Sequence, residues 1–329
     1  MQQSLELTQS EKATKLSIYS LVAITALLFV IPSQWERVQF FLLLLYPILL
    51  SSKYFHLDTA LIKKSLLYIA IFLVANLSTF AIHYWQLLWE ITNPGGLFGW
   101  KLRIDPILSA IPYNDGMWLR QFSTPLLDRF FVYIYIHGFV LCLLALCVYY
   151  LLTGQPKKIL VAMLAGHFLQ YLFILPFHFW VDGHQVWWIQ NQWFGTAFTD
   201  PIVGYRTETA PVIPSLNHVF PSMHTSIAAV TILLALRETA KPVRHFFTIL
   251  NVGIIISTVY LGIHWVIDVF GGVLFGYLTL KVADKLILIN WKDKWNSFEE
   301  NVYAFVNPLD KYHVKQHPFD TSHFWWDQK

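Results

Sequence analysis

The chain has 329 residues, is 56% hydrophobic and 13% charged, and carries a formal net charge of +3. Soluble domains usually hold about 25% charged residues, so the deficit points to an integral membrane protein, with 14 Trp and 16 Tyr to sit at lipid headgroup depth. So small a charge, with no basic stretch interleaved with aromatics, excludes nucleic acid as a partner.

An apolar run that crosses a bilayer as a helix needs about 20 residues, fewer when tilted or shielded. Eight candidates follow in chain order. The N-terminus is polar for its first 15 residues, and the run 16–33 has no small-residue cleavage site, so it reads as a retained span. The run 37–51 is short and contains Pro47, and 64–90 is long and continuous. A connection at 91–128 then brings "NPGG", "DPILSAIP" and "YNDGMW". Runs 129–153 and 158–180 come next, the first holding Cys142 and Cys147, which read as small packing residues. A second long connection, 181–221, contains "VDGHQVWWIQNQWFG" and "YRTETAPVIP". The last three runs are 222–238, 245–263 and 265–286, and a polar, aromatic tail occupies 287–329.

None of these runs alternates like a strand, and in lipid a helix satisfies its own backbone. The expected fold is all-α and polytopic, with about eight transmembrane helices. Residues 1–63 are read as an N-terminus with two extra spans, 64–286 as a six-helix core, and 287–329 as a tail. Sidedness follows from Lys and Arg. Seventeen of the 23 fall on the side of the N-terminus and six on the other. Both termini are therefore expected in the cytoplasm, and both long connections on the extracytoplasmic face. If 37–51 does not span, only the N-terminus changes side.

Polar knots open two of the last spans. "FPSMHTS" at 220–226 brings His224 to the mouth of one, and "GIHWVIDVFGG" at 262–272 brings His264 to the mouth of another. With one span returning between them, the two histidines are expected at the same depth. His264 and Asp268 stand at i and i+4, on one helical face. Asp268 is expected to accept from one nitrogen of His264, leaving the other as a lone pair. Ser222 stands where an N-cap belongs, and the free amides behind it make an anion site. A phosphate there would face a nucleophile, His264, and a general acid, His224, with no metal or other cofactor required.

At these residues the sequence resembles the type 2 phosphatidic acid phosphatase superfamily. The family's second motif, PSGH, is similar to Pro221-Ser222-Met223-His224. Its third, SRxxxxxHxxxD, is similar to Ser257-Thr258, five residues, His264, three residues, Asp268, and Gly262 and Gly272 also stand where many members carry glycine. The resemblance implies that His264 is the nucleophile, that Asp268 orients it, and that His224 is the acid. It implies phosphate binding by Ser222, and by Ser257 and Thr258 at the head of the third motif. It also implies a lipid phosphate, diphosphate or phosphodiester as substrate. Two features depart from the pattern: Thr258 replaces the third-motif arginine, and the first motif, KxxxxxxRP, is absent. Arg206 in "YRTETAP" is the first candidate to supply the missing charge, with Lys101, Arg103 and Arg120 behind it. In keeping both histidines and the aspartate while losing that Lys/Arg set, the chain is similar to the inositol phosphorylceramide synthase-like branch, which transfers headgroups between lipids.

Other readings stand beside this one. His83, His137, His167 and His178 read as packed residues, and His218 could substitute for His224. Two histidines and an aspartate could bind zinc, but no HExxH motif accompanies them, and no GxSxG elbow supports Ser222 as a nucleophile. A non-catalytic binder or transporter on the same fold is the other class, although a binder has no need of an oriented imidazole. The identity of the lipid, water or alcohol as acceptor, and the oligomeric state stay open at this point.

Overall fold

The computed structural model describes residues 36–56, 58–93, 100–198, 200–202, 218–290 and 293. The predicted first span, 16–33, and Arg206 lie outside the described residues. The described chain is mostly helical. In order it runs through α1 (Glu36–Leu49), α2 (Thr59–Thr92), β1 (Leu102–Arg103), α3 (Asp105–Ala110), α4 (Pro125–Leu152), α5 (Pro156–Met163) and α6 (Leu169–Trp180). It continues through β2 (Val181–Asp182), α7 (Val186–Phe194), α8 (Met223–Leu236), α9 (Lys241–Tyr260) and α10 (Val266–Leu286).

Local chemistry fixes where these helices begin. Asp58 caps α2, its carboxylate accepting from the amides of Ala60 and Leu61. Thr124 caps α4 by accepting from Leu127, with Pro125 in the first turn, where its missing N–H costs nothing. Ser222 caps α8 by accepting from the Thr225 amide at 3.3 Å. Between α5 and α6 the chain widens into a π turn, Leu164–Phe168, so the two form a continuous helical span, Pro156–Phe177.

Length and apolarity suit three helices for crossing a membrane: Pro156–Phe177, Lys241–Tyr260 and Val266–Leu286. A fourth qualifies if the two halves of α4, which meet at 50°, count as one span. Such helices build membrane proteins. The expected count of eight is thus not reached among the described residues. At 14 residues each, α1 and α8 fall short of a full crossing.

The long connections depart from a purely helical reading. β1 and β2 pair in parallel, Leu102 with Val181 and Arg103 with Asp182, and Gly183 forms a parallel bridge to His218. A small sheet therefore ties 91–128 to 181–221, and both contain short helices.

Helices α8 and α10 meet through glycines. A Cβ on Gly272 would lie 2.6 Å from the Ser222 carbonyl oxygen, and one on Gly276 would lie 2.4 Å from that of Ser226. Deeper along the same contact, the Gln170 amide of α6 donates to Thr279 at 3.0 Å and accepts from the Ser226 hydroxyl at 2.7 Å. That joins three helices through fully buried polar groups. Elsewhere Phe40 of α1 packs edge-on against Tyr133 of α4. Lys158 pairs at 2.7 Å with the nearly buried Glu238. Cys142 and Cys147 are free and buried, as their packing role requires.

By contact density the chain divides after Ala283. In the second unit, Asn290 donates to the Asp293 carboxylate at 2.7 Å.

Gly276→Val forces a side chain against backbone that cannot retreat. It should destabilise the protein by about 1–3 kcal/mol, read as a lower thermal aggregation temperature in detergent. Gly253→Ala, where a Cβ meets only Ile134 Cδ1 at 3.4 Å, should be neutral or stabilising by up to about 1 kcal/mol.

Candidate active site

His264 sits in the tight turn between α9 and α10. The Thr258 carbonyl accepts from both the Ile263 and His264 amides, at 3.1 and 3.0 Å, which folds the turn back on the end of α9. The turn needs Gly262: its φ is +64°, and a Cβ there would strike the Phe198 ring at 2.3 Å.

His264 is 6% exposed, and among the described residues its imidazole makes one hydrogen bond, from Nδ1 to the Val219 carbonyl at 3.0 Å. A carbonyl only accepts, so Nδ1 carries the proton and Nε2 is left with its lone pair in the neutral ring. The sequence expectation had one nitrogen held and the other left as a lone pair, with Asp268 rather than a carbonyl as the acceptor. Asp268 Oδ2 lies 3.6 Å from Nδ1, beyond hydrogen-bond distance, and accepts instead from the Trp265 amide at 2.9 Å. Asp268 Oδ1 is buried with no partner among the described residues.

His224 enters from the first turn of α8. Its ring centroid is 6.4 Å from that of His264, with the planes at 52°. Two rings of α4 flank it, Tyr135 stacked at 4.2 Å and Phe139 tilted at 4.0 Å. The Ser222 amide donates to the Asp268 carbonyl at 3.3 Å, which links the two helix mouths directly. Among the described residues, the amides of Met223 and His224 have no acceptor. The start of α10 differs: the Val266 amide donates to the Asn114 carbonyl and the Ile267 amide to the Asn114 side chain. Of the two helix mouths, α8 keeps free donors for an anion.

The structure thus brings His224, His264, Asp268 and Ser222 together. The hydroxyls of Ser257 and Thr258 are fully buried and donate to the carbonyls of Ile254 and Ile255, at 2.6 and 2.7 Å. Their protons are engaged within α9. Of the candidate cations, Arg103 is paired with Asp182 and its side chain is 68% exposed. Arg120 lies between the rings of Phe198 and Tyr260, 5.1 Å from each, and pairs with Asp128 at 3.4 Å. Asp128 also accepts from Ser123 and from the Tyr260 hydroxyl. Through Phe198, Arg120 stands beside the Gly262 turn.

His137 packs against Phe40 and Tyr133, and His167 against Tyr171, as packed histidines do. His218 forms an isolated bridge to Gly183, next to the small sheet. The side chains of His83 and His178 lie outside the described set. Sequence reasoning missed Val219 because a backbone carbonyl leaves no trace in residue type. It also missed Tyr135 and Phe139, which look like any other apolar helix residues.

Residues 143–292 match the PAP2 superfamily model. The matched stretch takes in both histidines, Asp268 and Ser222, and amounts to rather less than half of the chain. An uncharacterized protein of Methanocaldococcus jannaschii is 29% identical over 205 residues, covering 57% of this chain and 77% of its own length. The crystal structure of Aquifex aeolicus LpxE aligns with a TM-score of 0.38 and 18% identity, over 52% of this chain and 92% of that one.

Asn114→Ala removes the acceptor for the Ile267 amide while leaving the backbone bond to Val266. It should destabilise the protein by about 1 kcal/mol, measured by thermal unfolding in detergent.

Proposed function

We propose that this chain is an integral membrane phosphatase or phosphotransferase acting on lipid-linked phosphate through a phosphohistidine on His264. The observation that carries this reading is the pairing of two imidazoles at the open mouth of α8. The Nε2 of His264 is left free by the Nδ1 bond to Val219, and His224 stands 6.4 Å away. The match of residues 143–292 to the PAP2 superfamily supports it.

In the first step the Nε2 lone pair of His264 attacks phosphorus and the bond to the leaving oxygen breaks. Protonated His224 supplies that oxygen's proton. In the second step water or an alcohol attacks the phosphohistidine. The P–N bond breaks, and neutral His224 takes up the proton. As His264 becomes cationic, the Asp268 carboxylate 3.6 Å away stabilises it, an attraction on the order of 4 kcal/mol at an intermediate dielectric. The amides of Met223 and His224, with Ser222, receive the phosphate oxygens. Arg120 is the described cation best placed to add charge at this turn. The Lys/Arg bias puts the site on the extracytoplasmic side.

Headgroup transfer is the second reading. Thr258 replaces the third-motif arginine and the first motif is absent. Fewer cations suit a phosphodiester, which bears one negative charge, better than a dianionic monoester. An alcohol acceptor would then replace water.

The test is product analysis on purified protein with lipid phosphates, diphosphates and phosphodiesters, with and without alcohol acceptors. His264→Ala and His224→Ala should each lose at least about 100-fold in turnover, with expression unchanged. Asp268→Asn should lower kcat more than it raises KM. Acid-labile, base-stable phosphate on His264 after rapid quenching is expected. Full activity in His264→Ala would sink the mechanism. EDTA should not inhibit, and loss of activity restored by zinc would favour a metal site instead.

A further inference from the structure

A second histidine–aspartate pair lies outside the constellation just described. Asp105, at the start of α3, is fully buried and holds His184 by two hydrogen bonds across 79 positions of chain. Its Oδ1 accepts from the His184 amide at 2.6 Å and its Oδ2 faces His184 Nδ1 at 2.8 Å. The His184 ring stacks on Trp188 at 4.2 Å. A buried carboxylate held at both oxygens stays in place, because each lost bond would leave a desolvated charge unpaired.

What this pair holds leads to His264. The His184 carbonyl accepts from the Trp265 indole at 2.9 Å. The neighbouring Gly183 bridges to His218, and the next residue, Val219, supplies the carbonyl that takes the His264 Nδ1 proton. The segments are in tight contact. A Cβ on Gly183 would lie 2.6 Å from Ile104 and 3.2 Å from Val219. Leu108, Val186, Ile189, Val219 and Trp265 form one buried cluster around them. Both grips on the turn, at His264 and at Trp265, therefore come from the two segments joined by the Gly183–His218 bridge, beside the point where Asp105 meets His184.

We propose that Asp105 and His184 are positioning residues for His264. They clasp the two outer connections together so that the Val219 and His184 carbonyls fix the ring's tautomer and place. This rests on the reading of His264 as the nucleophile. Displacing a reacting group by about 1 Å can lower a rate roughly 100-fold, so a clasp remote from the phosphate has leverage on kcat.

The experiment pairs steady-state kinetics with amide hydrogen exchange on the full-length protein in detergent, for wild type, Asp105→Ala, His184→Ala and Asp105→Asn. Asp105→Asn preserves the clasp. Its carbonyl still accepts from the His184 amide, and its NH2 donates to Nδ1 of the opposite His184 tautomer. In both alanine variants, exchange should rise across 261–268 and stay unchanged across α9. Their kcat should fall about 10- to 100-fold, with KM within about twofold, and Asp105→Asn should recover most of the loss. Unchanged exchange at 261–268 would overturn the clasp whatever the activity. Faster exchange with unaltered kcat would overturn the positioning role. Asp105→Asn as inactive as the alanine variants would make the His184 tautomer itself matter and overturn the assignment. Exchange rising through every helix would make the pair a general structural tie and do the same. If wild type is inactive on every lipid phosphate, the proposed activity fails, and the exchange data alone decide whether the clasp exists.

Discussion

His264 has two ring nitrogens, and the bond that one makes to the Val219 carbonyl decides what the other can do. A carbonyl accepts and cannot donate, so the proton stays on Nδ1 and the lone pair on Nε2. The Asp268 carboxylate lies 3.6 Å from Nδ1. A neutral acceptor thus orients the ring, while the carboxylate stands beside it.

That arrangement depends on how closely α8 and α10 approach. An apolar bundle in lipid gains little from burying more apolar surface between helices, so close packing and hydrogen bonds between helices carry more of the association. Gly272 and Gly276 let α10 press against the carbonyls of Ser222 and Ser226. The Ser226–Gln170–Thr279 bridge then locks three helices at that depth. With the mouths fixed this way, the Ser222 amide reaches the Asp268 carbonyl, and His224 and His264 meet at one end.

The two long connections complete this end of the bundle. Asn114, from the first, covers the start of α10 by accepting from Val266 and Ile267. Phe198, from the second, fills the space above Gly262, and Arg120 stacks against Phe198 and Tyr260. Among the described residues, one helix mouth is therefore covered by protein and the other keeps amides without an acceptor.

Much of the helical framework was legible from residue order alone. Seven of the apolar runs fall on described helices, because sustained apolarity without alternation can satisfy its backbone only as helix. The pairing of His224 with His264 was legible too, since one returning helix between two helices of the same direction brings their mouths level. The acceptor for His264 was not, because any residue type presents the same carbonyl and only folding brings Val219 to it. Nor was the engagement of the Ser257 and Thr258 hydroxyls within α9, because a helix interior always offers a carbonyl three residues back. The Asp105–His184 contact spans 79 positions and two connections that read as irregular, so no local pattern could announce it. Sequence determined which groups stand at the helix mouths, through periodicity and spacing. Tertiary structure decided which of their atoms are held and which are free, because hydrogen bonds between distant segments form only once those segments pack.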